Sequence, residues 1–194
     1  MTSRKEHLMD MTPASFTEQF PSIAEHCGPA GLNDLLSVLQ TKHVKNGQTV
    51  TTDGEYCDSL YLVAEGKLVS QITSATESIR LGSINKGDIF GEVNILDPGP
   101  STSTVIATED STLLVLSHDA FRRLDKPHPV MTGNILRMMC SIMVDRCRVA
   151  DKLLFSKYSY IEGLTKNDSS HDAGLIEWGR NILQKLHGHG RTQV

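Results

Sequence analysis

Turns that contain glycine divide the middle of this chain into short segments, and this spacing constrains the fold more than any other feature. The turns are Asn46-Gly47, Asp53-Gly54, Glu65-Gly66, Lys86-Gly87-Asp88 and Pro98-Gly99-Pro100. Short apolar or alternating runs lie between them, at residues 60–64, 68–69, 80–81, 105–107 and 113–116. Brief runs bounded by turn residues are typical of antiparallel β structure. The sequence therefore predicts a mainly β fold, a small sandwich or jelly-roll-like β roll.

Two short helices are predicted before this β region. The first begins at Thr12 and Pro13, because proline suits the first turn of a helix. Its inward residues are Phe16, Phe20 and Ile23, with Pro21 interrupting the pattern. Residues 28–31 (Gly-Pro-Ala-Gly) predict a break. The second helix then carries Leu32, Leu35, Leu36 and Leu39 at helical spacing.

A short helix capped by Ser117 and a long helix are predicted after the β region. The long helix runs from Val130 to about Phe155, with Gly133 near its start. It carries two apolar seams: Leu136, Cys140, Met143, Cys147, Ala150 and Leu154 form one, and Ile135, Met139, Ile142, Val149 and Leu153 form the other. Two adjacent seams allow a helix to pack on its own domain and on a second copy. We therefore expect a homodimer; the alternative is a core helix that packs wholly within one chain.

Composition narrows the class of protein. The 194 residues are 39% hydrophobic and 22% charged, with a net charge of -4 at pH 7, which describes a globular chain without broad affinity for nucleic acid. No apolar run reaches the ~20 residues that span a bilayer, and no signal-peptide core follows Met1. The cysteines, Cys27, Cys57, Cys140 and Cys147, form no C-x-x-C pair. We expect reduced thiols, a cytoplasmic location and no membrane contact.

The residue types in segment 90–105 predict a ligand-binding site. Phe90 is followed by Gly91, an acid, a short apolar turn, a Pro-Gly-Pro loop and a run of hydroxyl residues. A glycine lets a ligand approach the main chain, and the free N–H groups of a following helical turn, near Val93, can face an anion. Glu92 can accept hydrogen bonds from sugar hydroxyls. The pattern predicts a site for an anionic, sugar-containing ligand.

This segment resembles the phosphate-binding cassette of the cyclic-nucleotide-binding domain, the sensor domain of the bacterial catabolite-activator family. Residues 58–63 (Asp-Ser-Leu-Tyr-Leu-Val) followed by Glu65-Gly66 resemble the first long hairpin of that family, and residues 86–92 resemble the approach to its cassette. The resemblance extends from about Leu32 to about Leu154. It implies an eight-stranded β roll flanked by helices, in a family in which many members dimerise through the long helix.

The resemblance also implies a division of the chain. Residues 1–31 would be an N-terminal lead and helix, and residues 32–126 the β roll. Residues 127–156 would be the long C-terminal helix and dimer interface. Residues 157–194 would be an extension with one amphipathic helix, marked by Leu175, Trp178, Ile182 and Leu186.

Residue roles follow from the same resemblance. In the family the cassette glutamate holds the ribose hydroxyl, which makes Glu92 the ribose ligand, and backbone amides near Gly91 and Val93 meet the cyclic phosphate. The family's phosphate-binding arginine is replaced here by Ser101, with Thr102 and Ser103 beside it. A hydrogen bond to a charged group contributes about 1.5–3 kcal/mol. Its loss predicts cyclic AMP or cyclic GMP binding about 10- to 150-fold weaker.

Recognition of the base in the family comes partly from the long helix. Depending on the helix register, Arg146 or Asp151 would face the pocket. An inward Arg146 would replace the missing positive charge. The alternative for each is an ordinary solvated position on the helix.

The function predicted is therefore a stand-alone regulatory sensor that signals through its long helix. The alternative is a degenerate roll that serves as an interaction or structural module. An enzyme is not expected, since the chain lacks a Gly-x-Ser-x-Gly or Walker sequence and offers the β region only His43 and His118 as metal ligands. Specific DNA binding is not expected either, because the tail offers a single helix where a helix-turn-helix needs two. That helix would contact a protein partner or cover the chain's own roll.

Overall fold

Short helices precede the sheets in this computed structural model, which describes residues 11–73 and 78–165. Helix α1 spans Pro13–Gln19, α2 spans Pro21–Ala24 and α3 spans Gly28–Val38. The Thr12 hydroxyl accepts a hydrogen bond from the Ser15 amide at 3.2 Å, and Phe16, Phe20 and Ile23 are buried. The predicted start of the first helix and the burial of these three residues are confirmed. The prediction of a single helix is wrong, because α1 ends at Gln19 and Phe20, with φ -126° and ψ 58°, separates it from α2.

The predicted break at residues 28–31 is wrong, because these residues form the first turn of α3. Pro29 needs no hydrogen bond there, since the first amides of a helix have no partner within it. The proposed domain boundary between residues 31 and 32 consequently falls inside α3.

The β region forms antiparallel sheets. Its strands are β1 Gln40–Val44, β2 Thr49–Thr51, β3 Tyr56–Cys57, β4 Ser59–Glu65, β5 Lys67–Thr73, β6 Ser78–Asn85, β7 Ile89–Phe90, β8 Gly99–Pro100, β9 Thr104–Ala107 and β10 Ser111–Ser117. One sheet has the order β1-β10-β4-β7, the second has the order β2-β9-β5-β6, and β3 pairs with β8. The mainly β fold with flanking helices is confirmed. The described residues form ten strand segments rather than eight, because the two-residue pair β3–β8 adds a clamp beside the roll.

Strand β4 is the centre of the fold, and its residues from Ser59 to Ala64 are all buried. Leu60 and Leu62 contribute to a core that the first sheet shares with the helices, whereas Tyr61 and Val63 contribute to a second core between the sheets. A strand covered on both faces reads as a continuous apolar run rather than an alternating one. This explains the run at residues 60–64.

Helices α5 (His118–Asp125) and α6 (Pro129–Thr165) follow the roll. The Ser117 hydroxyl caps α5 by accepting a hydrogen bond from the Ala120 amide at 3.2 Å, as predicted. Helix α6 continues to Thr165, beyond the predicted end at 155–156, because no proline or glycine interrupts residues 134–162. The predicted helix at residues 175–186 lies outside the described residues.

The chain divides into two compact units, Met1–Met143 and Val144–Val194. Within the first unit, α6 buries Met131, Ile135 and Met139 in the core that the helices share with the first sheet. Among the described side chains of α6 after Met139, none is buried. In residues 11–73 and 78–165, no helix combines the length and the hydropathy that crossing a bilayer requires.

Candidate functional site

The cassette begins at a sharp turn after β7. Gly91 has φ +86° and stands at the N-terminal cap of α4, which spans Glu92–Leu96. A side chain at this position would overlap the Ser59 carbonyl oxygen and press on the Tyr61 ring at 3.2 Å. Both the left-handed backbone and the close packing therefore require glycine. Atoms of β4 occupy the space beside Gly91 that a side chain would fill, so no ligand can enter there.

Helix α4 carries Glu92, the residue predicted to bind the ribose, and buries its side chain. Glu92 is 2% exposed, whereas the neighbouring Val93 is half-buried. A buried carboxylate is costly unless other groups compensate its charge. The position of Glu92 is therefore tightly constrained by the fold.

Two polar contacts that the sequence did not predict hold α4 in place. Asn94 is 4% exposed, and its side-chain amide donates to the carbonyls of Gly99 at 3.1 Å and Pro100 at 3.4 Å. The His118 Nδ1 atom lies 2.7 Å from the Ile95 carbonyl oxygen. Together they hold the short helix against β8, where the sequence predicted a Pro-Gly-Pro loop, and against the start of α5. An asparagine within the apolar turn Val-Asn-Ile-Leu was the only sequence signal for the first contact.

The loop after α4 is tied to the turn between β2 and β3. The Ser101 amide donates to the Glu55 carbonyl at 2.7 Å, and the Ser101 carbonyl accepts from the Gly54 amide at 2.8 Å. Strand β8 pairs with β3 through Gly99 and Pro100. Ser101 is consequently fixed on both sides and only 7% exposed.

The three predicted hydroxyl ligands do not converge on one point. The Ser101 hydroxyl donates to the Ser103 carbonyl at 3.0 Å, and the Ser103 hydroxyl accepts from the Ser70 hydroxyl at 3.0 Å. Thr102 is exposed. The hydroxyls of Ser101 and Ser103 thus belong to a hydrogen-bond network within the protein, whereas the Thr102 side chain is exposed to solvent.

An aromatic pair lies at the start of the cassette. The rings of Tyr61 and Phe90 stack with centroids 4.8 Å apart, and the Lys42 ammonium lies 5.8 Å from the Tyr61 centroid. Burial, together with Cys57 and Asp58, raises the pKa of the Tyr61 phenol, so the ring stays neutral near pH 7. Tyr61 also lines two cavities of about 300 and 330 Å³, one beside β2 and β3 and the other beside Lys42.

Positive charge is absent from the cassette sequence itself, since residues 90–105 contain neither lysine nor arginine. Arg146 lies on α6 after Met143, in the second compact unit. Its predicted role at the pocket, and that of Asp151 under the other register, stay predictions. Among the described residues, no three His, Cys, Asp or Glu side chains gather as metal ligands.

The family comparison matches the roll. Residues 41–128 match the family model described as the cyclic nucleotide-binding domain. The matched segment runs from β1 to the residue before α6, so it includes the cassette.

Curated relatives share this part of the chain. The cAMP-dependent protein kinase regulatory subunit of Yarrowia lipolytica is 33% identical over 112 residues, which is 58% of this chain and 29% of the relative. The cyclic AMP receptor protein of Thermus thermophilus is 27% identical over 124 residues, 63% of this chain and 56% of the relative. The chain thus covers only part of the length of the relatives it matches.

Solved structures share the fold. A cyclic nucleotide-binding domain from Methylobacillus flagellatus aligns with a TM-score of 0.63 at 18% identity, covering 81% of this chain and 97% of that one. The catabolite activator protein of Thermus thermophilus aligns with a TM-score of 0.61 at 22% identity, covering 89% of this chain and 90% of that one. At these identities the likeness establishes the β roll with flanking helices, but not the ligand.

Proposed function

We propose, from the match of residues 41–128 to the family model of the cyclic nucleotide-binding domain, that the protein is a regulatory domain. In this proposal it senses a cyclic nucleotide, or another small anion, through its cassette. The matched family is a binding domain rather than a catalytic one, and the two relatives named above act in cyclic AMP signalling by their names. We therefore assign the chain no catalytic residues.

One observation supports this proposal: the fold holds in place the residues that would form the sugar-binding half of the cassette. Glu92 is buried at the first position of α4, directly after the left-handed turn at Gly91, and Asn94 fixes the loop that follows. A ribose hydroxyl that donates to a fixed, desolvated carboxylate forms a charge-assisted hydrogen bond. We therefore propose that Glu92 holds the ribose of the nucleotide.

The phosphate-binding half fits less well. A phosphate oxygen only accepts hydrogen bonds, so it needs donors, and the single Ser101 O–H is already donated to the Ser103 carbonyl. A hydrogen bond from Ser101 to a cyclic phosphate requires that hydroxyl to rotate, so the phosphate would depend on backbone amides or on a cationic side chain from elsewhere in the chain. We expect affinity about 10- to 150-fold below that of an arginine-bearing cassette.

The output of the sensor is proposed to pass through α6. This helix buries Ile135 and Met139 in its own core, while Cys140 and Cys147 remain exposed. We propose that the exposed side pairs with a second copy to form a homodimer. A ligand can shift such an assembly only by its differential affinity for the two states.

The surroundings of the sensor complete the proposal. We propose a protein partner for the C-terminal segment, whose predicted helix at residues 175–186 is amphipathic. Because the four cysteines are free, we propose a cytoplasmic location. No role in binding DNA or a membrane is assigned.

Calorimetry and thermal shift test the ligand proposal. The full chain is titrated with cyclic AMP, cyclic GMP and cyclic dinucleotides, and Glu92→Gln serves as a variant of equal size without the charge. We expect one nucleotide to raise the melting temperature of the wild type and to lose affinity in Glu92→Gln, since only the folded state binds it. Equal binding by both proteins would refute the role of Glu92.

A second function is favoured by the hydroxyl network itself. The hydroxyls of Ser101, Ser103 and Ser70 are engaged with protein atoms at 3.0 Å, an arrangement that stabilises the loop without a ligand. In this alternative the roll is a ligand-free interaction module. Absence of nucleotide binding by the wild type and also by Ser101→Arg, with both proteins folded, would favour the module over the sensor.

A further inference from the structure

The exposed side of α6 carries a regular heptad pattern. Successive positions alternate by four and three residues, and the described structure leaves each of them half-buried or exposed: Leu136, Cys140, Met143, Cys147, Ala150 and Leu154. We refer to these six residues as the heptad stripe. The residues that α6 buries in its own core, Met131, Ile135 and Met139, lie outside the stripe, whereas Leu136 at the start of the stripe packs partly against that core. An apolar stripe of this period is the pattern of a helix that pairs with another helix.

Two of the four cysteines lie on this stripe. Cys140 and Cys147 are free, exposed and seven residues apart, so both occupy the same heptad position, here named a. Cys27 and Cys57 are buried, and burial raises the pKa of the Cys27 thiol to about 11. Because the thiolate is the reactive form, the exposed pair is the accessible target for oxidation.

We propose that Cys140 and Cys147 are a thiol modification site, at which each forms a disulfide with its counterpart in a second copy of this chain under oxidation by a peroxide. For each bridge, two thiols lose two protons and two electrons, and one hydrogen peroxide takes them up to give two waters. The inference rests on the homodimer of the proposed function. It adds to that function a covalent, reversible lock on the dimer.

The charged residues beside the stripe favour a second copy of this chain, parallel and in register, as the helix that packs on it. With Cys140 and Cys147 at position a, Arg146 is at position g and Asp151 at position e. In a parallel pair, position g faces position e of the next heptad in the partner helix. Arg146 then faces Asp151 of the second copy, with opposite charges. An antiparallel pair would bring g opposite g and e opposite e, with like charges together.

The geometry of paired helices permits the bond. Helix axes pack about 8–10 Å apart, and each Cα lies about 2.3 Å from its own axis. Two facing core Cα atoms are therefore separated by about 3.4–5.4 Å, and the upper part of this range overlaps the Cα separation of about 4.4–6.8 Å that a disulfide requires. An in-register dimer repeats this arrangement at Cys140 and at Cys147.

The test uses the full chain with and without hydrogen peroxide, followed by electrophoresis without reductant. Cys140→Ser, Cys147→Ser and the double variant are compared with the wild type, and dithiothreitol is added to reverse the bond. A matched control adds Ser141→Cys to the double variant, because residue 141 is exposed but lies off the stripe. Circular dichroism melting checks that each variant is folded.

We expect a reducible band at the mass of a dimer in the wild type and in both single variants, and its loss in the double variant and in the control. Loss of the band in both single variants would show that each bridge joins Cys140 to Cys147 rather than to its own counterpart, and would overturn the in-register inference. Loss in one single variant alone would show that only one of the two cysteines pairs with its counterpart, and would overturn the double bridge. Absence of the band in the wild type would overturn the modification site itself.

Sedimentation under reducing conditions separates this inference from the homodimer on which it rests. A reduced dimer without an oxidised band refutes the disulfide and leaves the homodimer standing. A reduced monomer without an oxidised band refutes both. The nucleotide titrations decide the sensor function independently, because the cassette contains no cysteine.

Discussion

The Ser70 hydroxyl donates to the Ser103 hydroxyl across 3.0 Å, and this bond joins strand β5 to the exit of the cassette. The two residues are 33 positions apart in the chain. The same Ser103 accepts through its carbonyl from the Ser101 hydroxyl at 3.0 Å. The residue that replaces the family arginine is therefore part of a structural network, and this arrangement determines how the cassette responds to substitution.

Removal of either hydroxyl of the Ser70–Ser103 pair should destabilise the roll. We expect Ser70→Ala and Ser103→Ala each to lower the free energy of unfolding by about 0.5–1.5 kcal/mol, with little further loss in the double variant because they share one bond. Urea unfolding measures both values. Ser37→Ala is the control, since its exposed hydroxyl donates to the Asp34 carbonyl at 2.7 Å within α3. Fully additive losses would show that the two hydroxyls act separately.

Substitution of Gly91 should cost more than substitution of another glycine with positive φ. The backbone is left-handed at both positions, with φ +86° at Gly91 and φ +81° at Gly47. A Cβ atom added at Gly91 would overlap the Ser59 carbonyl, whereas a Cβ atom added at Gly47 would have no other atom within 4 Å. Left-handed backbone alone costs an alanine about 1–2 kcal/mol. We expect Gly47→Ala to lose that amount and Gly91→Ala to lose clearly more, as measured by urea unfolding. Equal losses would mean that the backbone relaxes away from Ser59.

Restoring the family arginine should strengthen nucleotide binding. We expect Ser101→Arg to raise the affinity for cyclic AMP or cyclic GMP about 10- to 150-fold, because an arginine supplies a charged donor to the phosphate. Calorimetry gives the affinity, and Ser101→Gln controls for side-chain length without charge. Since Ser101 is 7% exposed, thermal melting must show that both variants fold. A gain shared by Ser101→Gln would argue against a role of the charge.

A charge on the heptad stripe should dissociate the dimer. We expect Met143→Glu to convert a wild-type dimer into a monomer, because burying an unpaired carboxylate between two helices is strongly unfavourable. Sedimentation at micromolar concentration provides the measurement. Ser141→Glu places the same charge at an exposed position off the stripe and should remain dimeric. A wild type that sediments as a monomer would contradict the proposal at once.

Much of the fold could be predicted because its signals are local. The cap at Ser117, the start of α1 and the glycine turns at residues 46–47, 53–54, 65–66 and 86–88 depend on near neighbours and were predicted correctly. The turn predicted at residues 98–100 was wrong, because Gly99 and Pro100 pair with β3 as strand β8. The errors were also local in origin. The Gly-Pro-Ala-Gly segment at residues 28–31 was interpreted as a break, although proline and glycine are both tolerated in the first turn of a helix. The end of α6 was placed early because the composition turns polar before the helix ends.

The candidate site was predicted only in part. Its position in the chain, with Gly91 and the buried Glu92, follows from the cassette motif. The inward direction of Ser101 and Ser103, the outward direction of Thr102 and the clamp made by Asn94 did not follow from it. The site residues as ligand contacts, Arg146 among them, stay predictions that the nucleotide titrations address.

The sequence by itself determined the β roll, its flanking helices and the place of the cassette, because periodicity and turn chemistry act between near neighbours in the chain. Tertiary structure alone decided which hydroxyls are engaged and which face of α6 is left open. Ser101 is held by the main chain at Gly54 and Glu55, and Ser103 by Ser70. Such contacts join residues that are remote in sequence, and only the packing of the sheets and helices brings them together.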